Sequence, residues 1–432
     1  MVRRAVVLLF VVSCLLSFKV HAYLPDFECP DGFVCPKEIM PEVEFWVMRY
    51  GKLSKSEMIV YDNKYKNIYS YYQCQGECEK DPNRLTERTR VEKLLLSVAQ
   101  KMQSYQTDDL TPDEQTIYHS IQTIPDFNLV TTEYNRHLQR NVSIRAEDRL
   151  VYSYGHRETF LEGLPIYKEY RQHIVESLKK NGFPLAIQYL PFAESGYNPF
   201  ITSGAGAVGL WQLMPAVGTK HGLVVQRLKK NRQGKYIYPA IDERRDPIKA
   251  TDAAMKYFEE AYRCLGGIAC EKDFDPSDPA LGPLIMTSYI YGISGTEKAI
   301  ENQGVDYLQI RNQHKDKNFG PYTKGYYPKF LGVMYVATHE EEFFGKIVDS
   351  ANKGDTKLLK LRIKAKPQLF TQKIPFSIQE LKMLPWNMRY TDYVWSGRQF
   401  IPMGEPFELP YFADNSIFAN LGTVIDFPKY QN

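Results

Sequence analysis

The side chain best placed to do acid chemistry in this sequence is Glu194. It stands in the stretch Leu190-Pro191-Phe192-Ala193-Glu194-Ser195-Gly196-Tyr197-Asn198-Pro199, after an apolar run and before turn residues. Apolar neighbours such as Phe192, Ala193 and Tyr197 would desolvate a carboxyl and raise its pKa, which is what a general acid at neutral pH requires. A helix-terminal Glu bonded to nearby backbone reads equally well from these residues alone. Pro191 falls inside the apolar run, where a regular helix interior would lose about 3 kcal/mol. Next comes Ser203-Gly204-Ala205-Gly206-Ala207-Val208-Gly209-Leu210-Trp211-Gln212-Leu213-Met214-Pro215. It contains a literal G-x-G-x-x-G, but no strand-like run leads into it and no acidic residue is suitably placed about 20 residues on, so a dinucleotide site is not expected. Close backbone packing beside a bulky ligand accounts for the glycines better. Trp211 and Gln212 offer a ring face and an amide, a pairing suited to sugars. A core Trp and a capped Gln are the alternative. His156, His173, His221 and His339 are scattered and form no site, and no serine sits in a Gly-x-Ser-x-Gly elbow.

The elements that hold these residues read as mostly helical. Val91, Leu94, Leu95, Val98 and Met102 make one helical stripe. Thr111-Pro112-Asp113-Glu114 is a capping box with proline at the first helical position. A helix is expected to start near Pro165, to carry Ile166, Tyr170, Ile174 and Leu178 on one face, and to stop at Asn181-Gly182. Asp246-Pro247 opens another, with Ile248, Thr251, Met255, Phe258 and Tyr262 on its buried side, expected to end at Gly266-Gly267. Val224 to Tyr238 reads as a small hairpin with a basic tip at Lys229, Lys230 and Arg232. Before about Lys80 the chain shows no long periodic stretch, and Glu44 to Tyr72 reads as irregular or short-strand structure. After about residue 345 the pattern turns to short alternating stretches.

The chain has 432 residues, 44% of them hydrophobic and 24% charged, with a formal net charge of +3. That is globular composition and excludes a disordered or fibrous protein. Residues 1–22 read as a signal peptide: Arg3 and Arg4, an apolar stretch from Ala5 to Leu16, then Val20-His21-Ala22. Lipid attachment at Cys14, after Val11-Val12-Ser13, is the rival. Without Arg3, Arg4 and Lys19 the opposite charges balance, which argues against a nucleic-acid binder. No later run is long and apolar enough for a membrane helix. Cys29, Cys35, Cys74, Cys78, Cys264 and Cys270 fall into three close pairs. Three local disulfides are the simplest reading for an exported chain, and metal binding the rival, with no His at ligand spacing.

Taken together, Glu194-Ser195, Ser203 nine residues on, and Gly209-Leu210-Trp211-Gln212-Leu213-Met214-Pro215 resemble the family 1 lytic transglycosylases, closest to the membrane-bound D type. Phe160-Leu161-Glu162-Gly163-Leu164, Asp242-Glu243-Arg244-Arg245-Asp246-Pro247 with Thr251, and Tyr326-Tyr327-Pro328-Lys329-Phe330-Leu331 extend the likeness over about residues 145–340. The resemblance implies a mainly α protein: a lysozyme-like helical catalytic domain at 145–345, an N-terminal disulfide-containing helical or irregular region at 23–144, and a small mixed C-terminal segment at 346–432. It implies cleavage of peptidoglycan in the periplasm or outside the cell, without metal or organic cofactor. By the same match Glu194 is the catalytic acid, Ser203 contacts the muramic sugar, Gln212 and Tyr326 line the cleft, and Tyr289 lies near the carboxyl. One departure stands out: Tyr289-Ile290-Tyr291-Gly292 has Ile290 where the family has asparagine, a change expected to lower activity, to shift substrate preference or to be covered by Tyr291, itself read as a substrate-binding residue. Asp242, Glu243 and Asp246 are the candidates for a second carboxylate, Asp246 reading better as a helix cap. A muramidase of the same fold, or a wall-binding protein with a decayed cleft, are the alternatives.

Overall fold

A computed structural model describes residues 24–122, 150–346 and 356–425, apart from positions 25, 64, 235, 238, 272–274, 276, 404, 411–412, 414–417 and 419. The expected signal peptide and Cys14 lie outside the described residues.

The chain is mainly helical. Helix α1 (Met40–Val47) continues into one turn of π-helix, Met48–Lys52, in a region the sequence read as irregular or strand. The strands expected there follow as β1 (Glu57–Asp62) and β2 (Ile68–Gln73). Helices α2 (Arg84–Gln103) and α3 (Pro112–Gln122) pack on them, burying Val91, Leu95 and Val98 of the expected stripe. The capping box forms: the Thr111 amide donates to the Glu114 carboxylate at 2.8 Å and the Glu114 amide to Thr111 Oγ1 at 3.3 Å. Strand β3 (Leu150–Tyr154) joins the sheet antiparallel to β1, giving the order β2-β1-β3.

Helix α4 (Arg157–Lys180) turns Phe160, Leu164, Tyr167, Tyr170, Ile174 and Leu178 inward, the spacing of a single helical face. It begins eight residues before the expected start, so Pro165 lies inside it. Proline at that place takes an amide out of the helical ladder and is tolerated because the buried face holds both halves. The stop is as expected: Asn181 caps the helix and Gly182 takes a φ of 69°. Helix α5 (Leu190–Ser195) is short, and Pro191 sits in its first turn, where no amide bond is lost, so the expected cost does not arise. Helix α6 (Pro215–Lys220) leads to the hairpin, where β4 (Lys229–Lys230) pairs antiparallel with β5 (Tyr236–Ile237).

Helix α7 (Pro247–Glu271) starts where the sequence indicated, with the Asp246 carboxylate accepting the amides of Ile248 and Lys249 at 3.1 and 3.2 Å. It does not end at Gly266-Gly267. Neither glycine takes the positive φ that terminates a helix, so both simply extend it. Helices α8 (Gly282–Tyr291), α9 (Ile293–Gln303), α10 (Tyr307–Gln313), α11 (Pro321–Lys324) and α12 (Tyr326–Thr338) complete the body. Strands β6 (Thr356–Leu361), β7 (Pro406–Pro410) and β8 (Gly422–Ile425) form a second sheet, order β7-β6-β8, with short helices between, the small mixed segment expected at the C-terminal side.

The main core does not respect the boundary expected at residues 144 and 145. Phe33, Ile39, Val43, Val47 and Tyr50 lie in one cluster with α4, α5, α7, α8 and α12. Helix α1 lies so close to α12 that a Cβ at Gly332 would stand 2.6 Å from that of Trp46. The segment before α1 is fastened by a disulfide, Cys29–Cys35, and a second, Cys74–Cys78, follows β2. The third expected bridge is corrected: Cys264 is a free thiol, and it shares the unbroken helix α7 with Cys270. Six residues of helix separate two Cα atoms by roughly 9 Å along the axis, beyond the reach of a disulfide.

Candidate active site

Helix α5 carries Glu194 and is braced from behind by aromatic rings. Phe192 stacks on Phe160 with centroids 4.0 Å apart, and Tyr197 packs on Phe192 at 4.4 Å. The Tyr197 hydroxyl donates to the Gln188 carbonyl at 2.5 Å. Gly196 ends the helix at a φ of 60°, and a side chain at Gly163 would put its Cβ 2.1 Å from the Gly196 carbonyl oxygen. That close approach is what fixes the exit of α5 against α4.

Phe192 and Tyr197 are thus buried in the core behind α5, and other elements meet the Glu194 carboxyl as well. Tyr326, at the start of α12, donates its phenol to Glu194 Oε1. Tyr289 on α8 and Tyr322 on α11 also lie within electrostatic reach of the carboxylate. Burial raises the Glu194 pKa; Lys329 and the Tyr326 hydrogen bond act against that rise and do not cancel it. The phenols of Tyr326 and Tyr289 are themselves pushed well above their ordinary range, first by burial and then by the Glu194 charge, so both remain neutral donors.

The loop after α5 is tied to this centre at two points. The Ser195 hydroxyl donates to the Leu210 carbonyl at 2.9 Å, and the Tyr289 hydroxyl to the Trp211 carbonyl at 2.5 Å. Ser203 is half-buried and folds the loop on itself, its Oγ accepting the Ala207 amide at 3.0 Å. Gln212 sits at a φ of 46°, and its Nε2 donates to the Gly209 carbonyl at 2.9 Å and to the Ile201 carbonyl at 3.3 Å. Its Oε1 accepts no bond among the described residues and is open to a ligand hydroxyl.

Two expectations need correction. Trp211 presents no ring face to a sugar: it is fully buried, with its indole N–H on Thr251 Oγ1 at 3.0 Å. Its contribution here is the backbone carbonyl held by Tyr289. Tyr291 is engaged with other partners. Its hydroxyl pairs with His314 Nε2 at 3.1 Å and its ring packs on Phe319, so it does not stand in for the asparagine that Ile290 replaces. The structure thus brings together Glu194, Tyr326, Tyr289 and the Trp211 carbonyl, with Ser203 and Gln212 bonded within the loop and Tyr291 bonded to His314.

Other residues at the site carried no sequence signal strong enough to single them out. Tyr322 is 63% exposed and its ring lies 6.4 Å from that of Tyr326, so it offers the open aromatic face that Trp211 does not. Arg244, inside the acidic-basic motif, is buried and pairs with both oxygens of Asp242 at 2.9 and 2.7 Å. Its Nη1 donates to the carbonyls of Gly206 and Leu213, both at 2.8 Å, which clamps the two limbs of the loop. Gly209 has to be glycine here: its φ is 82°, and a Cβ would meet the Arg244 carbonyl oxygen at 1.8 Å. Arg245 holds the Phe200 carbonyl at 2.8 Å. The second-carboxylate candidates are all engaged in support: Asp242 with Arg244, Glu243 with Lys249 and the Val224 amide, Asp246 with the start of α7.

A family profile described as "Transglycosylase SLT domain" matches residues 173–308, which include Glu194, the loop and Tyr289. Over this stretch the chain is similar to the SLT transglycosylases. The SLT domain is lysozyme-like, in keeping with the helical body described above, and the likeness to family 1 lytic transglycosylases of D type holds. Two relatives make the same point. Membrane-bound lytic murein transglycosylase D of Escherichia coli strain K12 is 30% identical over 115 residues, 26% of this chain and 23% of that protein. The protein of the same name from Escherichia coli O6:H1 strain CFT073 matches to the same extent. The chain thus spans about a quarter of the length of these relatives. Among the described residues no helix is long and apolar enough to cross a membrane.

Proposed function

We propose that the protein is a peptidoglycan lytic transglycosylase that cleaves the β-1,4 bond between N-acetylmuramic acid and N-acetylglucosamine and leaves 1,6-anhydro-muramyl ends. The observation that carries this reading is a single carboxyl, Glu194, whose pKa burial raises and whose Oε1 accepts the Tyr326 phenol, with the neighbouring acidic residues of the motif committed elsewhere. Hydrolases of the ordinary kind need a second carboxylate to act on water or on the sugar. Here the chemistry closes without one. Glu194 gives its proton to the bridging oxygen, and the bond from that oxygen to the muramic anomeric carbon breaks. The substrate acetamido group stabilises the positive charge on that carbon. The Glu194 carboxylate then takes the proton of the muramic 6-hydroxyl, whose oxygen bonds to the anomeric carbon. Because that nucleophile belongs to the same sugar, its effective concentration is high and no water has to be positioned.

The Gln212 amide oxygen and the exposed Tyr322 ring are suited to sugar hydroxyls and a sugar face respectively. Glycan strands of the wall are the substrate, and the periplasm or the exterior is the place of action. The signal sequence read at residues 1–22 and two disulfides suit an oxidising compartment. The test is a digest of purified peptidoglycan with the products identified by mass spectrometry. Anhydro-muramyl ends are expected; reducing ends alone would assign the protein to the muramidases, and binding without release would make it a wall-binding protein.

A further inference from the structure

The last turn of α5 leaves carbonyl groups without helical partners. That of Ala193, next to Glu194 in the chain, is taken by a side chain from another element: Lys329 on α12 donates to it at 2.5 Å. Lys329 is one helical turn from Tyr326, the donor to Glu194, and its Nζ lies 6.0 Å from the Tyr326 ring centroid. On its other side stands the N-terminal arm, with the Trp46 ring 5.8 Å from Nζ and Arg49 and Tyr50 within electrostatic reach. It makes no direct ion pair with Glu194 among the described contacts, so its charge acts on the carboxyl through space.

We propose that Lys329 is a positioning residue for Glu194: it caps α5 through the Ala193 carbonyl and fixes one positive charge beside the acid, and the arm from Trp46 to Tyr50 seats it there. The proposal rests on the reading of Glu194 as acid and then base, and explains how one carboxyl serves both roles. Burial alone would favour the neutral acid and hinder its ionised form. A nearby cation that never moves stabilises the carboxylate left after proton donation, at no cost of reorganisation.

Among the described residues few groups face this pair. Around Glu194 they are Tyr326 and Lys329 of α12, Tyr289 of α8 and Tyr322 of α11, the phenols all held neutral by burial. Around Lys329 they are Tyr50 and Arg49 of the arm, Tyr322, Glu194, and His156 ahead of α4, whose pKa falls to about 3 through burial and the surrounding cations. Burial works against the Lys329 charge, but the phenols and Glu194 outweigh it and Lys329 stays protonated. Glu44 on α1 is pushed up to about 7 by burial, so activity against pH alone would mix two carboxyls.

The Glu194 carboxyl should therefore be titrated directly, by carbon-13 NMR of the full-length protein carrying labelled glutamate, its signal assigned by absence in Glu194→Gln. In Lys329→Gln, which keeps a donor for Ala193 and drops the charge, the Glu194 midpoint is expected to rise by about one pH unit or more. In Lys329→Arg it is expected to stay at the native value. A midpoint unmoved in Lys329→Gln overturns the proposal, as does one that rises in Lys329→Arg. Should Lys329→Gln fail to fold, Lys329→Arg alone carries the test. The titration needs no substrate, so a native protein that releases nothing from peptidoglycan would sink the enzymatic reading and leave this result standing on its own. If cleavage is seen, Lys329→Gln should lose at least ten-fold in rate at its best pH.

Discussion

The phenol of Tyr326 donates to the carboxylate of Glu194 across 132 residues of chain, and this bond joins α12 to the short helix that carries the acid. Burial of this pair raises the pKa of the carboxyl, and the bond acts against that rise.

Replacing Glu194 by Gln keeps the oxygen that Tyr326 contacts and removes the proton. Release of soluble fragments from purified peptidoglycan should fall by at least about 100-fold, the lower end of what general acid catalysis contributes. The far-ultraviolet circular dichroism should be unchanged. A folded variant that still digests the wall would dismiss Glu194 as the acid.

The same substitution should alter stability with a definite pH dependence. The folded protein holds the Glu194 proton more tightly than the unfolded chain, whose carboxyl titrates near 4.5. Native stability relative to Glu194→Gln is therefore fully present below that value and declines as pH rises through the folded pKa, then levels off. Melting temperatures of the pair between pH 4 and pH 8 should converge or cross in that direction. A native protein that gained on the variant with rising pH would contradict a desolvated carboxyl.

Arg244 holds the loop that carries Ser203 and Gln212. Arg244→Met strands the buried Asp242 carboxylate and the carbonyls of Gly206 and Leu213, and should cost about 3–5 kcal/mol in urea unfolding. Adding Asp242→Asn should recover part of the loss, since the stranded charge is then gone. A single-variant cost under about 1 kcal/mol would show that the clamp is not what holds the loop.

Tyr322 offers the exposed ring near the carboxyl. Tyr322→Ala should raise KM for soluble glycan fragments about five-fold, in line with about 1 kcal/mol of lost stacking, and leave kcat within two-fold. An unchanged KM would place the sugar elsewhere.

What was legible in the sequence depended on whether a local rule governs the feature. The stripe of α2, the capping box at Thr111 and the cap at Asp246 follow from spacing and side-chain chemistry, and all three form as read. Pro165 and Gly266-Gly267 obey the same local rules and are overridden, because long buried faces hold α4 and α7 together through them. Cys264 and Cys270 look paired by proximity along the chain, and only the helix shows that they cannot meet. At the site, Glu194 could be singled out, whereas the fate of Trp211 depended on Thr251 forty residues away and that of Tyr291 on His314. Tyr322 carries no motif signature, and Lys329 stands inside the Tyr326–Leu331 run without being singled out, since their roles come from packing between distant helices.

The interlocking of α1 with α12 has a consequence for how the molecule may be cut. An excised fragment bounded at 173 and 308 would keep Glu194 but forfeit Tyr326, Lys329 and the greasy flank supplied by Phe33, Val43 and Val47. Such a piece would expose a wide sticky surface and lose Tyr322, Tyr326 and Lys329, three of the four groups named around the Glu194 carboxyl, so the smallest autonomous unit must reach from the first disulfide to the end of α12.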